Sequence, residues 1–253
     1  MDGVDGAGAP SWSQDFAGPR GAPPDPAVRR HDLGAGGWGC DQRQEYTADP
    51  ANACLSGTGS LLITALPLPP GRREGRVLAT SARLLTHGLV AVRGGRVAAR
   101  LRVPRGAGLW SAFWMLGEDV DAVGWPACGE IDVVEHVTSD PTAAHGTLHG
   151  PGYCGLGGGI GHRHDTGADL AAAFHTFAVD WTPGRITWSV DGVATSTLTP
   201  DEVPGPWPFD HPFHLLLDLA VGGAWPGVDT DAPTLPATLE VAWVRVWDRL
   251  PRG

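Results

Sequence analysis

The sequence predicts an all-β fold, a sandwich joined by long connecting loops. Apolar and β-branched segments recur along the 253 residues, and turn-forming residues bound each of them. The 37 glycines and 23 prolines supply those turns. A helical pattern is confined to residues 168–174 and 199–203, and both stretches are short.

Ten predicted strands follow one another along the chain, at a spacing that is typical of a sandwich or a barrel. They span residues 61–66, 77–85, 96–103, 109–116, 131–137, 145–149, 176–181, 186–190, 214–221 and 239–247. The pair Asp191-Gly192 after the eighth strand is a hairpin signal.

Side-chain alternation within two of these strands predicts their faces. In the strand 96–103, arginines alternate with apolar residues, so one face meets solvent and the other is buried. In the strand 239–247, Trp243, Arg245 and Trp247 share a face. That mixed face fits either the floor of a polar cleft or an outer strand.

The charge balance and the longest apolar run argue against two kinds of partner. With 28 acidic and 18 basic residues the net charge is −10, so we expect no nucleic-acid partner. The longest apolar run, residues 215–221, is interrupted by Asp218 and falls short of the ~18–20 residues that cross a bilayer. We therefore expect no membrane partner either.

Residues 1–11 are predicted to be a disordered extension, followed by a single domain at residues 12–250, because no internal repeat divides the rest of the chain. The first ten residues lack the basic start and the apolar stretch of a secretory signal peptide. Either the protein is cytosolic or its leader has been removed.

Three carboxylates, Glu130, Asp132 and Glu135, lie within six residues of an apolar, β-branched segment. On a regular strand Glu130 and Asp132 share a face, and Glu135 points to the opposite side. A β-bulge between Asp132 and Glu135 would bring all three acids to one surface and turn Val133 and Val134 toward the core. Acids so close raise each other's pKa, and that cost in stability indicates a function.

Glycoside hydrolysis is the chemistry that needs two carboxyl groups beside one bond, one ionised and the other protonated. One acts as the nucleophile and the other as the acid, while Asp132 between them would hydrogen-bond the nucleophile. The spacing leaves two alternatives open, a solvent-exposed acidic strand face and a calcium cluster of oxygen ligands.

The segment 129–135, Gly-Glu-Ile-Asp-Val-Val-Glu, resembles the active-site strand of the family-sixteen glycoside hydrolases. The resemblance is to the subgroup with an extra bulge residue, which contains the laminarinases, the endo-β-1,3-glucanases. Further segments resemble the family in the family's order; they are residues 38–47, 108–116, 124–128, 145–153, 209–213, 219–227 and 244–246. The resemblance extends from about Trp12 to Asp248.

This resemblance implies a β-jelly-roll sandwich with a concave substrate cleft and a retaining endo-hydrolysis of β-1,3-glucan such as laminarin. By position, Glu130 would be the nucleophile, Asp132 its partner and Glu135 the general acid/base. Hydrolysis of another β-glucan or a galactan stays open, as does glucan binding without catalysis. The binding modules of the family generally lack one or both catalytic glutamates, so the three acids here disfavour that alternative.

The resemblance also assigns substrate contacts to seven residues. An indole ring can carry the apolar face of a pyranose, although core packing is the alternative for each tryptophan. A histidine beside the acids could hydrogen-bond sugar or Glu135. The seven are Trp110, Trp114, Trp125, His149, Arg83, Gln44 and Trp225.

Several positions depart from the family's pattern. Cys40 stands where the family has Asn, and Gln42 where it has Glu. Asp218 stands where the family commonly has Asn, and this replacement adds a charge near the cleft and removes two donors. Ala242 replaces an Asp through which many relatives hold a structural calcium. We expect no metal at the active site and no cofactor, and the calcium site would lack one carboxylate.

The four cysteines permit three pairings, of which Cys40 with Cys54 and Cys128 with Cys154 are the nearest in sequence. Disulfides would fit a secreted enzyme. We therefore expect an extracellular monomer, with its leader absent from this chain, that acts on a polysaccharide.

Overall fold

The computed structural model describes residues 8–69, 71–72, 75–225 and 232–250. They form a nearly all-β jelly-roll sandwich, which confirms the predicted fold class. Residues 1–7 of the predicted N-terminal extension lie outside the described residues. Within the described ranges, no helix has the length and apolar character needed to cross a membrane.

The described residues contain 18 strands, one α-helix of four residues and two 3₁₀ turns. The strands are β1 (Trp12–Gln14), β2 (Arg30–His31), β3 (Gln44–Tyr46), β4 (Ala53–Leu55), β5 (Leu61–Pro67), β6 (Ala79–Ser81), β7 (Arg83–Leu85), β8 (Ala91–Val92), β9 (Gly95–Arg102), β10 (Leu109–Gly117), β11 (Glu130–Val137), β12 (Ala143–His149), β13 (Ile160–Asp165), β14 (His175–Thr182), β15 (Arg185–Val190), β16 (Val193–Leu198), β17 (Phe213–Val221) and β18 (Ala237–Trp247). The helix is α1 (Val120–Val123), and the 3₁₀ turns are Leu170–Ala172 and Pro200–Glu202.

The strands pair into two sheets. The larger has ten strands in the order β16-β15-β14-β9-β18-β5-β6-β3, with β1 beside β18 and β4 beside β5. The smaller has eight in the order β13-β12-β11-β10-β17-β7-β2, with β8 beside β17. Among these pairs, β3 and β6 run parallel and the others run antiparallel.

The two sheets enclose one apolar core, and the alternation along β17 shows how. Leu215, Leu217 and Leu219 fill the core. Because neighbouring residues of a strand point to opposite faces, His214 and Asp218 project from the other side of the smaller sheet. We call that side the cleft face.

The predicted strands are present, and their bounds differ from the predicted ones by a few residues. The segment 77–85 is divided into β6 and β7. The two predicted helical stretches are 3₁₀ turns of three residues, because they are too short for a stable α-helix. Strands β1–β4, β8, β13 and β16 were not predicted. Strand β13 lies at the edge of the smaller sheet and its mainly polar residues are half-buried or exposed, so it lacks the apolar alternation that marks a strand.

The mixed face of β18 is part of the outer side of the larger sheet, so the alternative of a cleft floor is wrong. Trp243 and Trp247 pack with Ala98 and Ala178 on the outer side of the larger sheet. The Arg245 guanidinium lies 4.4 Å from the centre of the Trp243 ring, a cation–π contact.

The proposed disulfides are not formed, because all four cysteines are free thiols. Cys40 lies in a loop beside Trp110 at the smaller sheet, whereas Cys54 lies on β4 of the larger sheet. Cys128 is fully buried in an apolar cluster with Leu116. The pairing by nearness in sequence is therefore wrong.

Two buried indoles hold the sandwich together through hydrogen bonds to main-chain carbonyls. Trp188 in β15 donates to the carbonyl oxygen of Asp132 in the smaller sheet at 2.8 Å. Trp181 in β14 donates to the carbonyl oxygen of Phe209, also at 2.8 Å. Both side chains are 2% exposed, so no solvent replaces either donor.

We expect Trp188→Phe and Trp181→Phe each to lower the free energy of unfolding by at least about 1–3 kcal/mol, the cost of an unpaired buried carbonyl. Urea unfolding of the two variants against the wild type measures this cost. A loss below about 0.5 kcal/mol in Trp188→Phe would contradict the bond to Asp132, because a buried carbonyl without its donor loses more than that.

Candidate active site

Strand β11 contains the predicted bulge. The three acids face alternate residues of β12, and the pairs are Glu130–His149, Asp132–Thr147 and Glu135–His145. On the other side, β10 pairs Phe113 with Val134 and Trp114 with Asp132, so Val133 is the extra residue. Val133 and Val134 are buried in the core. The acids consequently occupy three successive positions on the cleft face, as the sequence predicts.

An open cleft of about 900 Å³ lies over these acids. Its volume is within the roughly 300–1,000 Å³ of ligand sites in proteins. Six of the seven predicted substrate contacts line it; they are Trp110, Trp114, Trp125, His149, Arg83 and Trp225.

Gln44 does not line the cleft, which corrects the prediction of a direct contact with sugar. Its side chain is fully buried in β3, where its Nε2 donates to Gln42 Oε1 at 2.8 Å and its Oε1 accepts from the N–H of Val221 at 2.8 Å. Gln42 does line the cleft. Gln44 therefore positions Gln42 and does not meet substrate itself.

The tryptophans of the cleft differ in exposure. Trp125 is 47% exposed and offers an open ring face. Trp110 is 8% exposed and packs edge to face against Trp225, with the ring centres 4.9 Å apart. Trp114 donates to Asp218 Oδ1 at 2.7 Å. Trp125 is thus the indole with the largest surface for a ligand.

Arg83 connects two walls of the cleft. Its guanidinium lies 4.9 Å from the ring centre of Trp38 and 4.6 Å from that of Trp114. It also forms an ion pair with Asp32 at 3.2 Å. Trp38 was not predicted as a site residue, although it is the first residue of the segment 38–47 that resembles the family.

The model for glycosyl hydrolases family 16 matches residues 80–245 of this chain. The chain belongs to glycosyl hydrolase family 16. The family model begins at β6 and ends in β18, so it includes the bulged strand and all three acids.

Known proteins are similar over most of the chain. The beta-glucanase of Rhodothermus marinus is 38% identical over 248 residues, which cover 93% of this chain and 84% of that protein. The laminarinase catalytic domain of Thermotoga maritima superposes with a TM-score of 0.85 at 36% identity, covering 94% of this chain and 97% of that one. The endo-β-1,3-glucanase of Pyrococcus furiosus gives a TM-score of 0.84 at 38% identity, with 93% and 92% covered.

Two further side chains, Asp218 and Thr147, line the family-16 cleft without having been predicted as contacts. Asp218, noted only as a departure, accepts from the Tyr46 hydroxyl at 3.1 Å, and it is buried. Burial raises the pKa of Asp218, while Arg83 lowers it. Thr147 donates to Glu135 Oε2 at 3.4 Å. Its alternation with His149 in β12 was the available sequence signal.

Glu130 lies between groups with opposite effects on its charge. Burial and the Asp132 carboxylate raise the pKa of Glu130 to about 8. His149 and the indole N–H of Trp125, which donates to Glu130 Oε2 at 2.6 Å, lower it. Both of the opposing groups stabilise the ionised form of Glu130.

Glu135 has fewer groups that stabilise its charge. Burial and the carboxylates of Asp132, Glu130 and Asp218 raise its pKa well above the ordinary value, and the nearby indole of Trp110 opposes them. Two groups therefore favour the ionised form of Glu130, and one group favours that of Glu135. Such a difference between two neighbouring carboxyl groups separates a nucleophile from an acid.

His149 is the cation of the cluster. Its Nε2 lies 3.3 Å from Asp132 Oδ2 and 3.9 Å from Glu130 Oε1. Burial lowers the pKa of His149, but the two carboxylates overcome burial and raise it to about 8. Ligand atoms of these three residues lie within 4.8 Å of one another, a separation that a metal ion could bridge. The imidazolium already supplies positive charge at that place.

The residues around Ala242 do not fit the family's structural calcium. Ala242 offers a methyl group packed against the Trp243 cluster and no side-chain oxygen. Within the described ranges, the two groups of three or more ligating side chains belong to the smaller sheet and its connections. No step of the chemistry below runs through calcium.

We expect Glu135→Gln to stabilise the fold more at pH 8 than at pH 5. A carboxyl whose pKa is raised in the folded state contributes its full stabilisation below the ordinary value of 4.5 and loses it as the pH rises toward the folded pKa. The amide has no such loss. The difference between the two pH values should exceed about 1.4 kcal/mol, the value of one pKa unit.

Urea unfolding of Glu135→Gln and the wild type at both pH values measures this difference. Asp201→Asn, which neutralises an exposed carboxylate, is the control. An equal gain for Glu135→Gln at pH 5 and pH 8 would show that folding does not raise the pKa of Glu135.

Proposed function

We propose that this protein is a retaining endo-hydrolase of β-1,3-glucan in which Glu130 is the nucleophile, Glu135 the general acid/base and Asp132 the partner of Glu130. The different neighbours of the two glutamates carry the assignment. Glu130 has a donor at 2.6 Å and His149 nearby, whereas Glu135 is buried among three carboxylates. Membership of family 16, a retaining glycosidase family, supports the stereochemistry.

The chemistry proceeds in two displacements. The Glu130 carboxylate attacks the anomeric carbon and forms a glycosyl ester while Glu135 gives its proton to the departing glycosidic oxygen. Glu135, now a carboxylate, takes a proton from water, which attacks the same carbon and releases Glu130. Two inversions leave the configuration of the sugar unchanged.

Asp132 and His149 hold Glu130 in position for this attack. The main-chain carbonyl of Asp132 accepts from Trp188, which fixes the backbone at the bulge. The side chain of Asp132 is 2% exposed and lies 3.3 Å from His149. In the first step Glu130 loses its negative charge and Glu135 gains one. The charges of Asp132 and His149 therefore act on the two glutamates both before and after this step.

The substrate class is supported by the similar proteins and by the shape of the cleft. A β-glucanase, a laminarinase and an endo-β-1,3-glucanase all resemble the chain over more than nine tenths of its length. An open cleft with an exposed Trp125 suits the interior of a polymer chain better than a closed pocket would. Trp110 and Trp225 form a second aromatic surface beside Glu135.

Secretion and the monomeric state stay predictions. The free thiols remove the disulfides that favoured an extracellular location. Activity on another β-glucan or a galactan, and binding without catalysis, are distinguished by the experiments that follow.

Reducing-end assays on laminarin, mixed-linkage glucan, agarose and xylan should show the fastest hydrolysis of laminarin. Glu130→Gln should abolish turnover and preserve laminarin binding, because an amide cannot form the glycosyl ester. Asp201→Asn, the same carboxylate-to-amide change at an exposed site, should keep full activity. Near-normal turnover by Glu130→Gln would exclude it as nucleophile, and wild-type binding without any hydrolysis would favour a binding module.

Glu135→Ala should lower kcat on laminarin by about 10²–10⁴-fold, the contribution of a positioned general acid/base. The loss should be far smaller for the first step with an aryl glucoside, whose leaving group needs no proton. Azide, a nucleophile that needs no general base, should restore the second step. Equal losses on both substrates and no effect of azide would contradict the acid/base role of Glu135.

A further inference from the structure

A second cluster of metal-ligating side chains lies at one end of the cleft face. It consists of His87 after β7, Glu118 directly after β10 and His214 near the start of β17. We call it the His214 cluster. His214 projects from the same face of β17 as Asp218, four residues away, or about 13 Å along the strand. The proposed glycosidase chemistry uses none of these three residues.

The spacing of the His214 cluster suits a small cation. One ligand atom from each residue lies within 4.8 Å of the others. His214 Nδ1 and Glu118 Oε2 are 3.2 Å apart. Two ligands of a tetrahedral zinc ion with bonds of about 2.1 Å stand roughly 3.4 Å from each other. The imidazole rings of His87 and His214 have their centres 4.5 Å apart.

The two facing atoms lack hydrogen-bond partners. His214 is 2% exposed, and neither its Nδ1 nor Glu118 Oε2 makes a hydrogen bond to a described residue. Both atoms are buried and face each other. Unpaired buried polar atoms of this kind are rare in folded proteins.

The surrounding groups orient the ligands. The N–H of Gly88 donates to Glu118 Oε1 at 2.8 Å, which leaves Oε2 directed at His214. His87 Nε2 lies 3.2 Å from the main-chain oxygen of Glu118 and 4.0 Å from the carboxylate of Asp121. Arg83, the neighbouring cation, is already paired with Asp32.

The catalytic cluster provides an internal comparison. Glu130, Asp132 and His149 satisfy the same distance criterion for metal ligands. There, the carboxylates raise the pKa of the histidine to about 8, so an imidazolium balances the acids. The His214 cluster instead contains one carboxylate and two imidazoles.

We propose that His87, Glu118 and His214 bind a zinc ion that stabilises this end of the cleft. Two imidazoles and one carboxylate are a donor set typical of zinc, and the fourth position is left to water. The ion would join the turn after β7, the end of β10 and the start of β17. It would thereby anchor the segment 118–128, which carries Trp125.

Zinc titration of the chelator-stripped full chain should give one tight equivalent by calorimetry and should raise Tm. Cobalt in place of zinc should give visible absorption bands. His87→Ala is the diagnostic variant because His87 is partly exposed, and Glu118→Gln is its companion. Each should weaken zinc binding by more than the roughly 10–100-fold that loss of an outer hydrogen-bond partner costs.

Two histidine variants are the controls. His211→Ala removes a nearby imidazole outside the cluster, and His149→Ala removes the histidine of the catalytic cluster. Both should bind zinc as the wild type does. The proposal is overturned if the wild type takes up no zinc, if His87→Ala and Glu118→Gln bind it unchanged, or if binding is lost in His149→Ala.

Discussion

The β-bulge in β11 is the constraint on which the active site depends. With Val133 as the extra residue, Glu130, Asp132 and Glu135 occupy successive positions on one face of the sheet. A regular strand would turn Glu135 into the apolar core. The indole of Trp188, which crosses from the larger sheet to the carbonyl of Asp132, fixes the backbone of the bulge from the core side. The hydrogen bond from Trp188 to the Asp132 carbonyl therefore both joins the two sheets and holds the acidic strand in place.

Three carboxyl groups so close together destabilise one another's ionised forms. The neighbours of each acid determine how strongly its pKa is raised. Burial and mutual repulsion raise the pKa of both Glu130 and Glu135. Trp125 and His149 offset part of this increase in the pKa of Glu130, so the two glutamates are not equivalent. The unequal environments of the two glutamates suit one as the acid and the other as the nucleophile. This arrangement is consistent with a glycosidase.

Much of the fold and of the catalytic strand could be predicted from the sequence, because both depend on a period of two. The spacing of Glu130, Asp132 and Glu135 was enough to predict the bulge, because the three acids can share a face of the sheet only if the strand contains one extra residue. The predictions failed where contacts between distant segments decide the outcome. Sequence nearness did not pair Cys40 with Cys54, which lie at different sheets. Gln44 resembled a cleft residue but is buried behind Gln42. The His214 cluster joins residues 87, 118 and 214, and no local pattern connects them.

The most direct test of the account is to trap the glycosyl enzyme. An activated 2-deoxy-2-fluoro glucoside extended by a β-1,3-linked glucose forms the ester and hydrolyses it slowly, so mass spectrometry of peptides can locate the label. We expect one label per chain, on Glu130, and none in Glu130→Gln. A label on Asp132 or Glu135 would contradict the roles that were inferred from the neighbours of the three acids.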